Sequence, residues 1–194
     1  MGDIGTVTAL THLRVARPHR ADAARNYDAI LAAARLAFAE QGADAPLEEI
    51  ARRAGVGIAT LYRNFPTREV LIENVYITEV EVVCEAAREA ESLAPRAGLY
   101  AWLRRFVEYI GAKQPLAAGL NRESTAYLEC RRALYAAGGP LLERAQRARE
   151  VRADVAIDDV MRLASAIASG HFPQAEQRER VLTVALDGLS TPPG

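Results

Sequence analysis

Apolar residues recur at helical spacing along most of the chain, and sustained apolar/polar alternation, the mark of a strand, is missing. Tyr27, Ile30, Leu31, Ala34 and Phe38 define one face of a first helix over about Asn26–Gln41. Gly42 stops it, because glycine accepts the left-handed conformation that ends helices. Leu47, Ile50, Ala51 and Ala54 give a second helix over about Pro46–Ala54. Proline suits its first turn, Glu48 and Glu49 suit the positive end of its dipole, and Gly55 ends it. A short third helix follows over about Ile58–Phe65, with Leu61, Phe65 and Val56 facing inward. Pro66 breaks the pattern, and Thr67 caps a long fourth helix, about Arg68–Leu93, that Pro95 terminates. Leu99, Trp102, Leu103, Phe106 and Ile110 stripe the next, about Ala97–Gln114, which Pro115 breaks. Glu123–Ala137 and Leu141–Glu150 are read as two helices divided by Gly138-Gly139-Pro140. Two amphipathic helices close the chain, Ile157–Ser169 and Gln174–Leu189, before a Pro/Gly-rich tail.

Composition strengthens this all-α reading. The 194 residues include 38 alanines, and all but one of the 24 basic residues are arginine; both types favour helix. No run of eighteen apolar residues is present, so no membrane-spanning helix and no membrane partner are expected. The N-terminus lacks the charged, apolar and cleavage regions of a secretion signal, so a cytoplasmic location is expected. Cys84 and Cys130 form no disulfide framework and fit a reducing compartment. His12, His19 and His171 sit in no nucleophile or metal-ligand pattern, so neither an enzyme nor a cofactor is expected.

The net charge of −1 argues against a polyanionic partner only until it is divided along the chain. Residues 14–68 hold nine arginines against six acids, a balance of +3. Residues 69–94 hold seven glutamates against Arg88, a balance of −6. The cationic part coincides with two short helices joined by Gly55-Val56-Gly57, the arrangement of a helix-turn-helix. Residues 1–25, with Arg14, Arg17, Arg20 and Arg25, read as a flexible basic arm.

The stretch Leu47-Glu48-Glu49-Ile50-Ala51-Arg52-Arg53-Ala54-Gly55-Val56-Gly57-Ile58-Ala59-Thr60-Leu61-Tyr62-Arg63-Asn64-Phe65 resembles the DNA-binding segment of the TetR family of transcriptional regulators. The likeness continues through Pro66-Thr67-Arg68-Glu69-Val70-Leu71 and back to Gly42, so that it covers about residues 26–75. It implies that the third helix enters the major groove, where base edges can be told apart. Thr60 would approach bases or backbone, and the Tyr62 hydroxyl would meet a phosphate. Arg68 stands where the family has a lysine that meets the backbone. The chain departs from the family pattern at several positions: Gly57 replaces a serine, Ile58 a lysine, Ala59 a glycine and Asn64 a histidine. Ile58 could touch a thymine methyl, and Asn64 could donate to a phosphate. Pro46 replaces a hydroxyl residue and cannot make that residue's phosphate contact. The candidate DNA-binding set is therefore Gly57, Ile58, Ala59, Thr60, Tyr62, Arg63, Asn64 and Arg68. Arg14, Arg17 and Arg20 join it as an arm reaching the minor groove.

The resemblance also implies a division of labour: an arm at 1–25, a helix-turn-helix domain at 26–67, and an effector-binding and dimerisation domain at 68–194. The last two helices would pair with those of a second copy. The interface would use Ile157, Val160, Met161, Ala164, Ile167 and Ala168 from one helix, and Val181, Leu182, Ala185, Leu186 and Leu189 from the other. A partly apolar effector would meet Tyr76, Val80, Cys84, Trp102, Phe106, Tyr109, Tyr127 and Cys130. The function implied is a ligand-responsive regulator, a repressor that binds a palindromic double-stranded operator as a homodimer and is released by the effector. A helical bundle that binds only other proteins stays open as the alternative, as does a redox role for the two cysteines.

Overall fold

A computed structural model describes residues 10–117 and 119–191, with the backbone alone for 112–115 and 117. The part of the expected arm before Leu10 lies outside the described residues, as does the end of the tail. Among the described residues there are eight α-helices, preceded by a single 3-10 turn at Thr11–Leu13. The helices are α1 (Ala21–Gln41), α2 (Leu47–Arg53), α3 (Ile58–Asn64), α4 (Arg68–Ala90), α5 (Pro95–Ala117), α6 (Thr125–Arg147), α7 (Ile157–Ser169) and α8 (Ala175–Asp187). The architecture is all-α, as the periodicity predicts, and no strand interrupts it among the described residues. None of the helices among these residues is long and apolar enough to cross a membrane.

Two units can be distinguished: Met1–Val80 with Ala112–Cys130, and Glu81–Gly111 with Arg131–Gly194. The first is built on α1. Tyr27, Ile30, Ala34 and Phe38 from that helix pack with Leu47, Ile50 and Ala51 of α2, Leu61 and Phe65 at α3, and Leu71, Ile72 and Val75 of α4. The Tyr27 and Phe65 rings lie 5.0 Å apart in a tilted arrangement. Gly42 ends α1 with φ 80°, and its N–H donates to the Phe38 carbonyl at 3.0 Å. The hydroxyl of Thr67 accepts from the Val70 N–H, so the cap expected for α4 is present.

The second unit is centred on Trp102, which is buried and donates its indole N–H to the Val83 carbonyl at 3.1 Å. Here one expectation fails. Gly138-Gly139-Pro140 does not divide two helices; α6 runs through all three residues. The reason lies in the packing. A Cβ on Gly138 would stand 2.3 Å from the Trp102 ring, so this glycine is needed for close approach rather than for a turn. Proline costs one hydrogen bond in mid-helix, and burial of the flanking Leu134, Leu141 and Leu142 offsets it. Pro115, expected to break a helix, also falls inside one. Pro95 opens α5 as its first residue, where a missing N–H costs nothing.

Candidate nucleic-acid interface

Helices α2 and α3 are joined by a tight turn in which Gly55 has φ 68°, a conformation that favours glycine. The Val56 N–H closes the turn onto the Ala51 carbonyl at 3.0 Å. Gly57 has φ −75°, and a Cβ added there would meet open space, so it caps α3 without any need to be glycine. One side of α3 holds the helix to the domain: Leu61 is fully buried, and Ile58 and Val56 pack against the same core. The other side shows Ala59, Tyr62 and Arg63 to solvent, with Thr60 and Asn64 half-buried between them. Tyr62 is 46% exposed, large for an aromatic residue on a helix otherwise anchored by its apolar groups. The Arg63 guanidinium donates to the Thr60 hydroxyl at 3.1 Å, and the Asn64 amide donates to the Thr60 carbonyl at 2.8 Å.

Two residues of the expected set have other work. Ile58 turns toward the core, because a branched apolar side chain next to Val56 gains more from burial than from solvent. Arg68 is half-buried, and its guanidinium donates to the carbonyls of Ala43 and Ala45 at 2.8 and 2.6 Å. It thereby satisfies backbone groups in the α1–α2 connection that have no helical partner.

The basic segment also differs from a free arm. Ala21–Arg25 belong to α1, and Ala24 is buried there. Leu10 is buried, and Val15 packs on the core of the first unit. The Arg17 guanidinium grips the Asp28 carboxylate with two hydrogen bonds, of 2.8 and 2.5 Å. That pairing holds the Asp28 carboxyl below the usual carboxylate range. Arg14 is half-buried, while Arg20 is exposed immediately before α1. Sequence reasoning missed the residue behind this ordering, Asn74 of α4; its only trace was a polar residue among apolar ones on a helix.

The two other residue sets are distributed as follows. In the first unit Tyr76, Val80 and Cys130 are buried, and Tyr76 stacks on Tyr127 with ring centroids 5.7 Å apart. In the second, Cys84, Trp102, Phe106 and Tyr109 are buried; Trp102–Phe106 and Phe106–Tyr109 centroids are 5.9 and 6.3 Å apart. A cleft of about 180 Å³ in the first unit involves Phe38, Val75 and Leu116, and one of about 300 Å³ in the second involves Arg104, Arg178 and Leu182. None of the eight effector candidates lines either cleft. Of the eleven interface candidates, Val160, Met161, Ala164, Ile167, Ala168, Leu182, Leu186 and Leu189 are buried within the single chain. Ile157 and Ala185 are half-buried, and Val181 is exposed. The amphipathic stripe thus points into the chain's own core, which claims the most continuous apolar face. The large apolar residues that α7 and α8 show outward are Leu163, Val181 and Val184, the last 72% exposed.

A short helix carried on a buried scaffold, with a tight glycine turn before it and an exposed polar face, defines a helix-turn-helix DNA-binding transcriptional regulator. Residues 30–75 match the model for bacterial regulatory proteins of the tetR family, and residues 94–191 match that for the C-terminal domain of SbtR-like transcriptional regulators. A TetR transcriptional regulator from Streptomyces coelicolor is 41% identical, with 86% of this chain and 99% of that one covered and a TM-score of 0.74. The TetR regulatory protein from Mycobacterium vanbaalenii is 36% identical over 90% of this chain and all of its own, with a TM-score of 0.67. The ketosteroid transcriptional regulator of Mycobacterium tuberculosis is 17% identical and shares the fold, with a TM-score of 0.61. No curated protein matches the chain. The chain belongs to the TetR family of transcriptional regulators, whose members are DNA-binding transcription factors and not enzymes.

Proposed function

We propose that the protein is a repressor that binds a palindromic operator as a homodimer through the exposed face of α3. The observation that carries this reading is the division of α3 between Leu61, which fixes it, and Tyr62 and Arg63, which are exposed to solvent. Ala59, Thr60, Tyr62 and Arg63 are the groups for the groove, with Gly57 offering its backbone at the helix start. Tyr62 and Arg63 serve phosphates, which fix register, while Ala59 and Thr60 are small enough for close approach to base edges. Asn64 contributes through its remaining amide hydrogen. A balance of only +3 in residues 14–68 makes nonspecific binding weak, so two copies are needed to reach high affinity. We assign the partner-facing surface to Leu163, Val181 and Val184, because exposed branched apolar groups on adjacent helices are what an interface core requires.

Release by an effector belongs to the same reading. A small, partly apolar ligand would find aromatic walls in either buried set, Tyr76 with Tyr127 or Trp102 with Phe106. Since α4 begins beside the helix-turn-helix, a ligand that prefers one arrangement of α4 weakens DNA binding by its differential affinity, and DNA weakens the ligand equally. The test of the core proposal is selection from randomised duplex DNA. Enrichment of a palindrome with half-sites about 34–36 Å apart, or a multiple of that, is the expected result. A pool that stays unenriched at low salt, while the protein captures another protein, overturns it.

A further inference from the structure

Between the 3-10 turn and α1, residues 15–18 belong to no strand or helix that could satisfy their backbone, yet both polar groups of Val15 are paired. The Val15 N–H donates to Asn74 Oδ1 at 2.9 Å, and the Tyr27 hydroxyl donates to the Val15 carbonyl at 3.0 Å. Asn74 is 2% exposed and, among the described residues, is the one buried side chain that is neither aliphatic, aromatic nor sulfur-bearing. Its own amide donates to the Val70 carbonyl at 2.7 Å, which fixes the orientation that points Oδ1 at Val15. The Tyr27 hydroxyl also lies 3.4 Å from that oxygen. Leu10, 2% exposed, anchors the segment on the far side of Val15, and the Arg17–Asp28 pair anchors it on the near side. Asparagine suits this position because it offers a neutral acceptor, so no charge has to be buried.

We propose that Asn74 is a latch that docks the basic segment Leu10–Arg20 onto the DNA-binding unit, and that DNA binding depends on the docked segment. This rests on the DNA-binding reading above. The sequence supports the second half independently. The nine residues before Leu10 carry Asp3 and no arginine or lysine, whereas Arg14, Arg17 and Arg20 all lie within or beside the docked stretch. Arg14, Arg17 and Arg20 are therefore carried on a stretch whose backbone is held at Val15 rather than on a free one, and the Arg17 guanidinium is shared with Asp28. Fixed cations lose less conformational entropy on binding than a free arm, which must be ordered at that moment. Asn74 is a positioning residue: it touches the segment's backbone, not DNA. Because it is part of α4, the segment follows whatever arrangement α4 adopts.

The test uses the full chain and the variant Asn74→Leu, which keeps the branched shape and the number of heavy atoms but removes the acceptor, with Tyr27→Phe as a milder second variant. Limited trypsin digestion reads the latch without DNA. Cleavage after Arg14, the basic residue next to Val15, is expected to speed up by about tenfold, the increase in open segment that the loss of one buried hydrogen bond produces. Salt titration on a selected operator reads the consequence. Affinity is expected to fall, and the slope of log K against log salt to become shallower by about 0.9 for each phosphate no longer neutralised. Removing residues 1–20 should weaken the wild type but add nothing to Asn74→Leu. Cleavage at the wild-type rate in both variants overturns the latch. Faster cleavage with unchanged operator affinity and slope overturns the dependence of DNA binding on it. If the wild type binds no DNA at all, the DNA-binding reading fails while the trypsin result still decides the latch.

Discussion

At the scale of single residues, what decides a role is which alternative partner lies in reach. Arg68 stands at a position where the family resemblance implies a phosphate contact, but its Nη1 already donates to two backbone carbonyls. Arg68→Ala leaves the Ala43 and Ala45 carbonyls short of a donor and should cost about 1–3 kcal/mol in urea unfolding. Unchanged stability with a large loss of DNA affinity would return Arg68 to the DNA contacts. Cys84 illustrates the same logic for reactivity. Burial pushes its thiol up to about 11, so almost none is thiolate near neutrality. Alkylation at pH 8 should be slow for Cys84 in the native protein and fast after denaturation; rapid native labelling at Cys84 would reopen a redox role. Residue types alone could not reveal these choices. The sequence contains Arg68 and Cys84 but not the carbonyls and apolar walls that surround them.

At the scale of elements, helices α2, α3 and α7 are legible almost to the residue, because their apolar spacing and end signals agree. α1 begins five residues earlier than its pattern suggests. Its first turn is made of alanine and charged residues, with Ala24 the one buried contact, too small to announce a face. α6 reads as two helices for the opposite reason: glycine and proline are strong local signals, but here tertiary packing outweighs them. This gives a paired prediction. Gly138→Ala forces a methyl against Trp102 and should destabilise the protein by about 1–3 kcal/mol. Gly139 has open space around it, so Gly139→Ala should stabilise by about 0.5–1 kcal/mol through lower chain entropy in the unfolded state. Thermal unfolding followed by circular dichroism separates the two, and equal effects would show that α6 is not continuous in solution. The docked segment before α1 is invisible to periodicity, since it is held by backbone bonds to side chains far along the chain.

At the scale of the whole molecule, the charge pattern is a better guide than the net charge. Most of the apolar stripe of α7 and α8 is buried within the single chain, and the proposed partner surface is drawn from the apolar groups those helices leave exposed. Val184→Glu sets a charge at the centre of the assigned interface and should shift the protein to monomer in sedimentation. At fixed concentration DNA affinity should then drop by about tenfold or more, because each half-site is met separately. A variant that stays dimeric moves the interface elsewhere. The central claim, that the exposed face of α3 meets DNA, is tested most directly by fluorescence anisotropy of a selected operator with the wild type and Tyr62→Ala. Tyr62 is 46% exposed and outside the buried core, so the variant should melt close to the wild type while binding about tenfold or more weakly, the loss expected for a hydrogen bond to a charged group. Equal operator affinity for the two proteins would contradict the account.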